Sequence, residues 1–400
     1  MTLVQVAGPW VAARAARLRG EGAFEVLAAA RRLEAGGREV AHLEIGELDV
    51  ETPPHVVEAG LRALRDGDRR YSAPAGLPEL RDAVAGALST RGVAADAEQV
   101  VVTSGGKPAL FAALLALIEP GDEVLVPDPG FPSFTETVRF AGGIPVGYEL
   151  DAANAFALDP EAIAARITAA TRVLVINAPH NPTGGSVRTE AALAGIAALA
   201  QRHDLWIVSD EVYARLAFAG EPRSVAALAP ERTVIVDSFS KSHAMSGWRL
   251  GYLAAPPAIA PALERFVIHS ASCTPPFVQR AGIAALTGPA DFVDTTRRRL
   301  VRQAERLVAG LNAVPGVQCQ RPAGSLFAFP DVRGVLAGTG EGVDALARRL
   351  LQDHGVAVLP GTAFGAGGTG HLRVSFATTS RNIGLALEGL AASSRLQEVS

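Results

Sequence analysis

The sequence predicts an α/β fold: a mostly parallel sheet covered by helices, followed by a smaller α+β domain. Two observations carry this prediction. From about residue 98, short apolar runs rich in β-branched residues alternate with helical stretches, which is how a parallel sheet with helices on both faces reads in a sequence. From about residue 295 the texture shifts to a long Arg-rich helical stretch followed by short strands. The chain has 400 residues, 48% of them apolar and 20% charged, which is ordinary for a globular protein and long enough for two packed domains.

Taken in order, the first element is a helix from Phe24 to Ala35, within an N-terminal arm (residues 1–45) expected to pack against the small domain. Residues 46–294 are expected to form the large domain. Its strand candidates are Val100–Val102, Val124–Val126, Val173–Ile176, Leu205–Val208, Val234–Val236 and Leu250–Leu253, each an apolar run bounded by turns. Alanine runs such as 191–200 fall between them, where helices belong. Residues 295–400 form the small domain, with a helix from Thr296 to Leu311, another near 342–353, and strands near 356–359 and 371–376. In sheets of this kind the ligand site lies at the C-terminal ends of the strands. Nearly every chemically suggestive residue falls just after one of these runs.

Composition excludes several classes. A net charge of −4 with a pI near 6.1 gives no electrostatic case for nucleic acid. No apolar run approaches the length of a membrane span. Cys273 and Cys319 are too few for a disulfide framework and have no metal-site spacing, so they read as buried thiols in a reducing compartment. The start is Arg-rich through Arg19, faintly like a transit peptide, but Gly8-Pro9 breaks its apolar part and makes it a poor secretory signal. A cytoplasmic location is expected.

The most informative stretch runs from Ser238 to Tyr252. Lys241 stands just beyond Val234–Val236, with Ser238 and Ser240 before it and Arg249 eight positions after it. A partly desolvated lysine amine can form a Schiff base with an aldehyde. Serines and an arginine are what a neighbouring phosphate requires. An aldehyde beside a phosphate describes pyridoxal 5′-phosphate (PLP). With Gly247, Arg249 and Gly251 in place, the stretch resembles the lysine signature of the class I/II PLP-dependent aminotransferases, the aspartate-aminotransferase-like enzymes of fold type I.

Further segments resemble that family in its own order, over nearly the whole chain from Phe24 to Ala377. Thr103-Ser104-Gly105-Gly106-Lys107-Pro108 reads as a strand-to-helix turn, and a helix N-terminus offers free N–H groups to an anion. The resemblance makes Gly106 and Lys107 backbone donors to the cofactor phosphate. Phe131 alone reads as a core residue; in the family its position stacks on the cofactor ring, usually as Trp or Tyr. In Asn177-Ala178-Pro179-His180-Asn181-Pro182-Thr183-Gly184, an Asn before Pro is held out of the helical region. The resemblance gives Asn181 the cofactor's phenolic oxygen, with Tyr213 as second donor. Asp210 alone reads as a helix cap; the resemblance makes it the partner of the pyridine nitrogen, an opposite charge favouring the protonated ring. Glu211 reads as structural. Gly46, in a segment where Leu48 replaces the family's proline, is expected beside substrate. Tyr71 reads either as a core tyrosine or, by resemblance, as a ligand of the phosphate in a neighbouring subunit, which implies a homodimer with shared sites. Arg373, in His371-Leu372-Arg373-Val374-Ser375-Phe376-Ala377, alone reads as a solvated strand arginine. By resemblance its fork clamps the substrate α-carboxylate.

The family implies a large domain built on a seven-stranded sheet, with both termini contributing to the small one. It implies transfer of an amino group from an L-amino acid to a 2-oxo acid, through a Lys241 Schiff base and pyridoxamine phosphate. Lys241 and Asp210 are the catalytic residues of this reading, and Gly46, Phe131, Asn181 and Arg373 contact substrate. No metal is expected. Alternatives are a C–S lyase or another PLP enzyme on the same fold, a non-catalytic binding module, and a nucleotide-binding protein. The module reading lacks room for a DNA-binding domain before Gly46, and the last lacks a glycine fingerprint after an early strand. The segment Ser270–Phe277, where one branch of the family places a second arginine for dicarboxylates, has none. With Phe131 and His243 expected near the site, neutral or aromatic amino acids fit.

Overall fold

A computed structural model describes residues 11–187, 189–220 and 223–395. The Gly8-Pro9 break lies outside the described residues.

The strands, in chain order, are β1 (Ala41–His42), β2 (Val100–Thr103), β3 (Glu123–Asp128), β4 (Ile144–Glu149), β5 (Thr171–Asn177), β6 (Trp206–Asp210), β7 (Thr233–Ser238) and β8 (Gly251–Ala254). The last seven make one sheet in the order β2-β8-β7-β6-β5-β3-β4. It is parallel except for β8, which runs antiparallel to both β2 and β7. Each predicted apolar run lies in a strand to within one residue. Central strands are buried on both faces: Val173 to Ile176, Ile207, Val208 and Val234 to Val236 are all at most 2% exposed. That is why they read as continuous apolar runs rather than alternating ones.

The seventh strand, β4, had no signal among the apolar runs. It carries Pro145 and Gly147, both depleted in strands. Its position explains the tolerance. β4 pairs only with β3, at the sheet edge, where a missing N–H costs no ladder bond.

Helices cover the sheet. Gly106–Leu117 packs Ala109, Leu110, Ala113 and Leu114 against one face with Val124, Val175 and Val236. Glu190–Arg202, capped by the Thr189 side chain, packs Leu193, Ile196 and Leu199 against the other with Leu174 and Ile207.

The C-terminal elements are β9 (Phe327–Ala328), β10 (Val356–Ala357), β11 (Leu359–Pro360) and β12 (Leu372–Ser375). β11, β12 and β9 form an antiparallel sheet in that order. The helices Asp291–Asn312, Val343–His354 and Ser380–Arg395 accompany them. Leu300, Leu307, Leu346, Leu350, Phe376 and Ile383 share one core there. The arm joins this part of the molecule: β1 pairs in parallel with β10, and Ala30 and Val40 pack with Leu351 and Ala357. Among the described residues no helix is long and apolar enough to cross a membrane.

Candidate active site

Parallel strands place consecutive C-termini along one edge of the sheet. β5 ends at Asn177, β6 at Asp210 and β7 at Ser238. Asn177 and Asp210 are register partners, and Asn177 Nδ2 donates to the Asp210 carbonyl at 3.0 Å. At this edge lies a cavity of about 530 Å³. Lys241, Asp210, Asn181, Tyr213, Gly106, Lys107, Phe131, Ser238, Ser240, Arg249, Gly46 and Arg373 all line it. Of the sequence-predicted site residues only Tyr71 stands apart. Its side chain is 89% exposed, which rules out the core-tyrosine alternative.

Lys241 sits on a one-turn helix, Phe239–Ser242, that starts directly after β7. Ser238 caps it, its Oγ accepting from the Ser240 N–H at 3.0 Å. The Lys241 ammonium donates to the Gly46 carbonyl at 2.5 Å. A methyl on Gly46 would overlap the Phe327 ring, so only glycine lets this carbonyl approach. Burial lowers the Lys241 pKa to about 8, assisted by the positive charges of Arg373 and Lys107 and opposed by Glu47. A neutral amine is therefore accessible near physiological pH, as a nucleophile or base needs.

Asp210 is buried, and its Oδ1 accepts one backbone bond, from Val212 N–H at 3.3 Å. Burial raises its pKa to about 7, with the carboxylates of Asp237 and Glu211 adding to the rise. A carboxyl group held in this way favours a cationic partner in the cavity.

The anion cradle lies between two segments. The Gly106–Leu117 helix opens its N-terminus onto the cavity, and Ser238 and Ser240 face it from the end of β7 and the turn after it. Ser238 and Ser240 hydroxyls hydrogen-bond each other at 2.8 Å. Arg249 has left-handed backbone geometry (φ 56°), and its guanidinium packs on Gly105, where any Cβ would overlap it. Glycine 105 and Arg249 are thus one packing unit although 144 positions separate them.

Arg373, on β12, is buried rather than on a solvated face. Its guanidinium lies 4.1 Å from the Phe327 ring centroid and 4.9 Å from that of Phe364. It donates to Asn181 Oδ1 at 3.1 Å and to the Glu44 carbonyl, and among the described residues its Nε has no hydrogen-bond partner. Burial lowers its pKa to about 10, still cationic at neutral pH. Because the Asn181 oxygen is engaged with Arg373, that amide has its NH₂ to offer as a donor. Burial pushes the Tyr213 phenol upward, so it too stays a donor.

One histidine is corrected. His243 was expected near the site; it turns toward Ser242 Oγ and a separate space bounded by His55 and Arg215. His180, in the same turn as Asn181, is buried against Thr183 Oγ1 (2.8 Å) and does not line the cavity. Sequence reasoning missed Glu21, Phe24, Glu47 and Phe327, which also line the cavity. Glu21 and Phe24 belong to the arm, and no local motif reveals that the arm folds across the mouth. It also missed the support behind Asp210. Buried Glu211 pairs with buried Arg91 and accepts from Ser209 (2.7 Å) and Ser224 (2.6 Å), while Asp237 accepts from Tyr252 OH at 2.8 Å. Glu211 has every bond of a structural residue, as its sequence reading held.

The chain matches the family model "Aminotransferase class I and II" over residues 38–390. It is 39% identical to the aspartate/prephenate aminotransferase of Thermus thermophilus over 370 residues, 92% of this chain and 94% of that one. The chain belongs to the class I and II aminotransferases. It is also 38% identical to the arginine–pyruvate transaminase of Pseudomonas aeruginosa, covering 84% of this chain and 86% of that one. The solved structure of aspartate aminotransferase from Thermus thermophilus with maleate superposes with a TM-score of 0.91 at 37% identity, over 96% of this chain and 100% of that one. For this class I and II aminotransferase, the mostly parallel seven-stranded sheet is therefore the family's own architecture. Enzymes of the family generally use PLP. The residues at hand fit such a group: a helix N-terminus, two serines and an arginine for its phosphate, and a buried carboxylate with a raised pKa for its ring nitrogen.

Proposed function

We propose that the cavity binds PLP and moves an amino group from an L-amino acid to a 2-oxo acid. The observation that supports this most is the convergence of Lys241, with its lowered pKa, Asp210, with its raised pKa, and the buried Arg373 on one cavity. When bound, PLP supplies an aldehyde that condenses with amines and a ring that accepts the electron pair released at a substrate carbon. The chain does the rest. Ser238, Ser240, Arg249 and the Gly106 and Lys107 N–H groups hold the phosphate. Asp210 holds the ring nitrogen in its protonated form, and Phe131 covers a ring face. Asn181 and Tyr213 donate to the phenolic oxygen. Arg373 orients the substrate carboxylate, with Gly46 alongside. Lys241, first the covalent anchor, then works as a neutral amine, taking the proton from Cα and delivering it one position along.

The same reading makes the protein a cytoplasmic homodimer in which the exposed Tyr71 reaches the partner's phosphate. It divides the chain into an arm (1–45), a large domain (46–294) and a small domain (295–400). Mixing the PLP-loaded protein with single amino acids and following its visible absorbance tests the activity. Loss of the band with release of a 2-oxo acid is expected, and Lys241→Ala should abolish it. Ammonia and pyruvate from cystathionine without any acceptor would instead mark a lyase.

A further inference from the structure

Among the described residues the cavity carries four basic side chains, Lys107, Lys241, Arg249 and Arg373. On the reading above three are engaged: Lys241 with the cofactor aldehyde, Arg249 with its phosphate, Arg373 with the substrate carboxylate. The phosphate role of Lys107 uses only its backbone, so its ammonium remains. That ammonium lies 5.3 Å from the Phe131 ring centroid and 5.7 Å from that of Phe24. It is paired with Glu21.

Glu21 and Phe24 come from the arm, where Glu21 is the residue before the helix Gly22–Ala35. This entry is fixed from both sides. The Arg19 N–H donates to Glu136 Oε2 at 3.1 Å, and Ala23 packs with Leu359 and Phe364. The Glu21 charge is also close enough to act on Lys241 and Arg373, where it opposes the lowering of both pKa values by burial.

We infer that Glu21 is a specificity-determining residue which neutralises Lys107 and so tunes the site for amino acids with large uncharged side chains, against dicarboxylic ones. The inference rests on the aminotransferase reading and names its substrate class. With the α-carboxylate on Arg373, a substrate side chain has to lie among what remains: Ile45, the rings of Phe24 and Phe131, and the Lys107–Glu21 pair. An aromatic or long aliphatic group meets the rings and leaves the pair intact. A second carboxylate needs a cation, and among the described lining residues Lys107 is the one left. To reach it the carboxylate must displace Glu21 or lie beside it, a like-charge contact in a partly desolvated place. The other lining carboxylate, Glu47, accepts from Ser246 Oγ and adds negative charge rather than positive. A cationic side chain gains nothing either, because pairing with Glu21 would release Lys107 unpaired.

The test uses the PLP-loaded protein and its Glu21→Gln variant. Calorimetry measures the dissociation constants of maleate, a dicarboxylate, and of 3-phenylpropanoate, a monocarboxylate. Half-reactions compare L-aspartate with L-phenylalanine. The native protein should favour 3-phenylpropanoate and phenylalanine. Freeing Lys107 should shift both ratios toward the dicarboxylate by about tenfold or more, the size of one new charge-assisted contact. Adding Lys107→Met to that variant should erase the shift. A native protein that prefers maleate and aspartate, or a Glu21→Gln variant whose ratios do not move, overturns this inference alone. A protein that reacts with no amino acid overturns the aminotransferase reading as well.

Discussion

Asp210→Asn should stabilise the cofactor-free protein, and by more as pH rises. Burial moves the Asp210 pKa from 3.8 to about 7 in the folded chain. Between those values the folded state keeps a proton that the unfolded state has released. Stability contributed by this group therefore falls as pH rises through the window and stays low above it. Each pKa unit corresponds to about 1.4 kcal/mol, so the shift has a ceiling of about 4 kcal/mol at pH 8. At pH 5 the unfolded carboxyl is only about one unit past its midpoint, and the ceiling is about 2 kcal/mol. Asparagine carries no charge and escapes the cost. Urea denaturation of both proteins without cofactor, at equal protein concentration, should show the variant's advantage growing by up to about 2 kcal/mol from pH 5 to pH 8. Adding PLP should reverse the order, since a cationic ring nitrogen draws the wild-type carboxylate back to its charged form. An advantage that is the same at both pH values, or a variant that binds PLP as tightly as wild type, would refute the reasoning.

Three more outcomes follow from the site. Arg373→Ala should raise KM for amino-acid donors by ~30-fold or more, since losing one partner of a buried charge pair costs about 2–5 kcal/mol; steady-state kinetics with several donors would check it. Lys241 should react with trinitrobenzenesulfonate in the cofactor-free protein with a half-maximal rate near pH 8, because burial lowers its pKa from 10.5 to about 8; a midpoint near 10 would contradict the burial. Gly46→Val should push the Phe327 ring aside and lower stability by about 1–3 kcal/mol while loosening the Lys241 contact, visible as a lower melting temperature together with weaker PLP retention.

What was legible in the sequence followed from local cause. Central strands announced themselves because burial on both faces demands uninterrupted Val, Ile and Leu. Gly106, Asn181, Asp210 and Lys241 could be read because each stands at a strand end or in a turn, whereas Arg373, inside β12 between Leu372 and Val374, was assigned by the family resemblance alone. β4 escaped because an edge strand can keep Pro145 and Gly147. Glu21 and Phe24 escaped because their importance comes from an arm meeting the cavity mouth, a contact 86 positions wide between Glu21 and Lys107. His243 misled for the opposite reason. Lys241, two residues before it, lines the cavity, but the chain turns the His243 ring toward the space bounded by His55 and Arg215.

Ser209 and Asp210 are adjacent, yet the pleat of β6 sends them to opposite duties. Asp210 faces the cavity, whereas Ser209 donates to Glu211 in the buried Arg91 cluster. The strand thus has a reading frame. Inserting a single residue upstream within β6 would put the Ser209 hydroxyl where the carboxylate belongs and drive that carboxylate into the place of Glu211. The active end of this sheet should tolerate many substitutions but no insertion or deletion inside β5, β6 or β7. Length variation among functional variants should collect in the connections at the far end of those strands, where a slipped residue carries no chemistry.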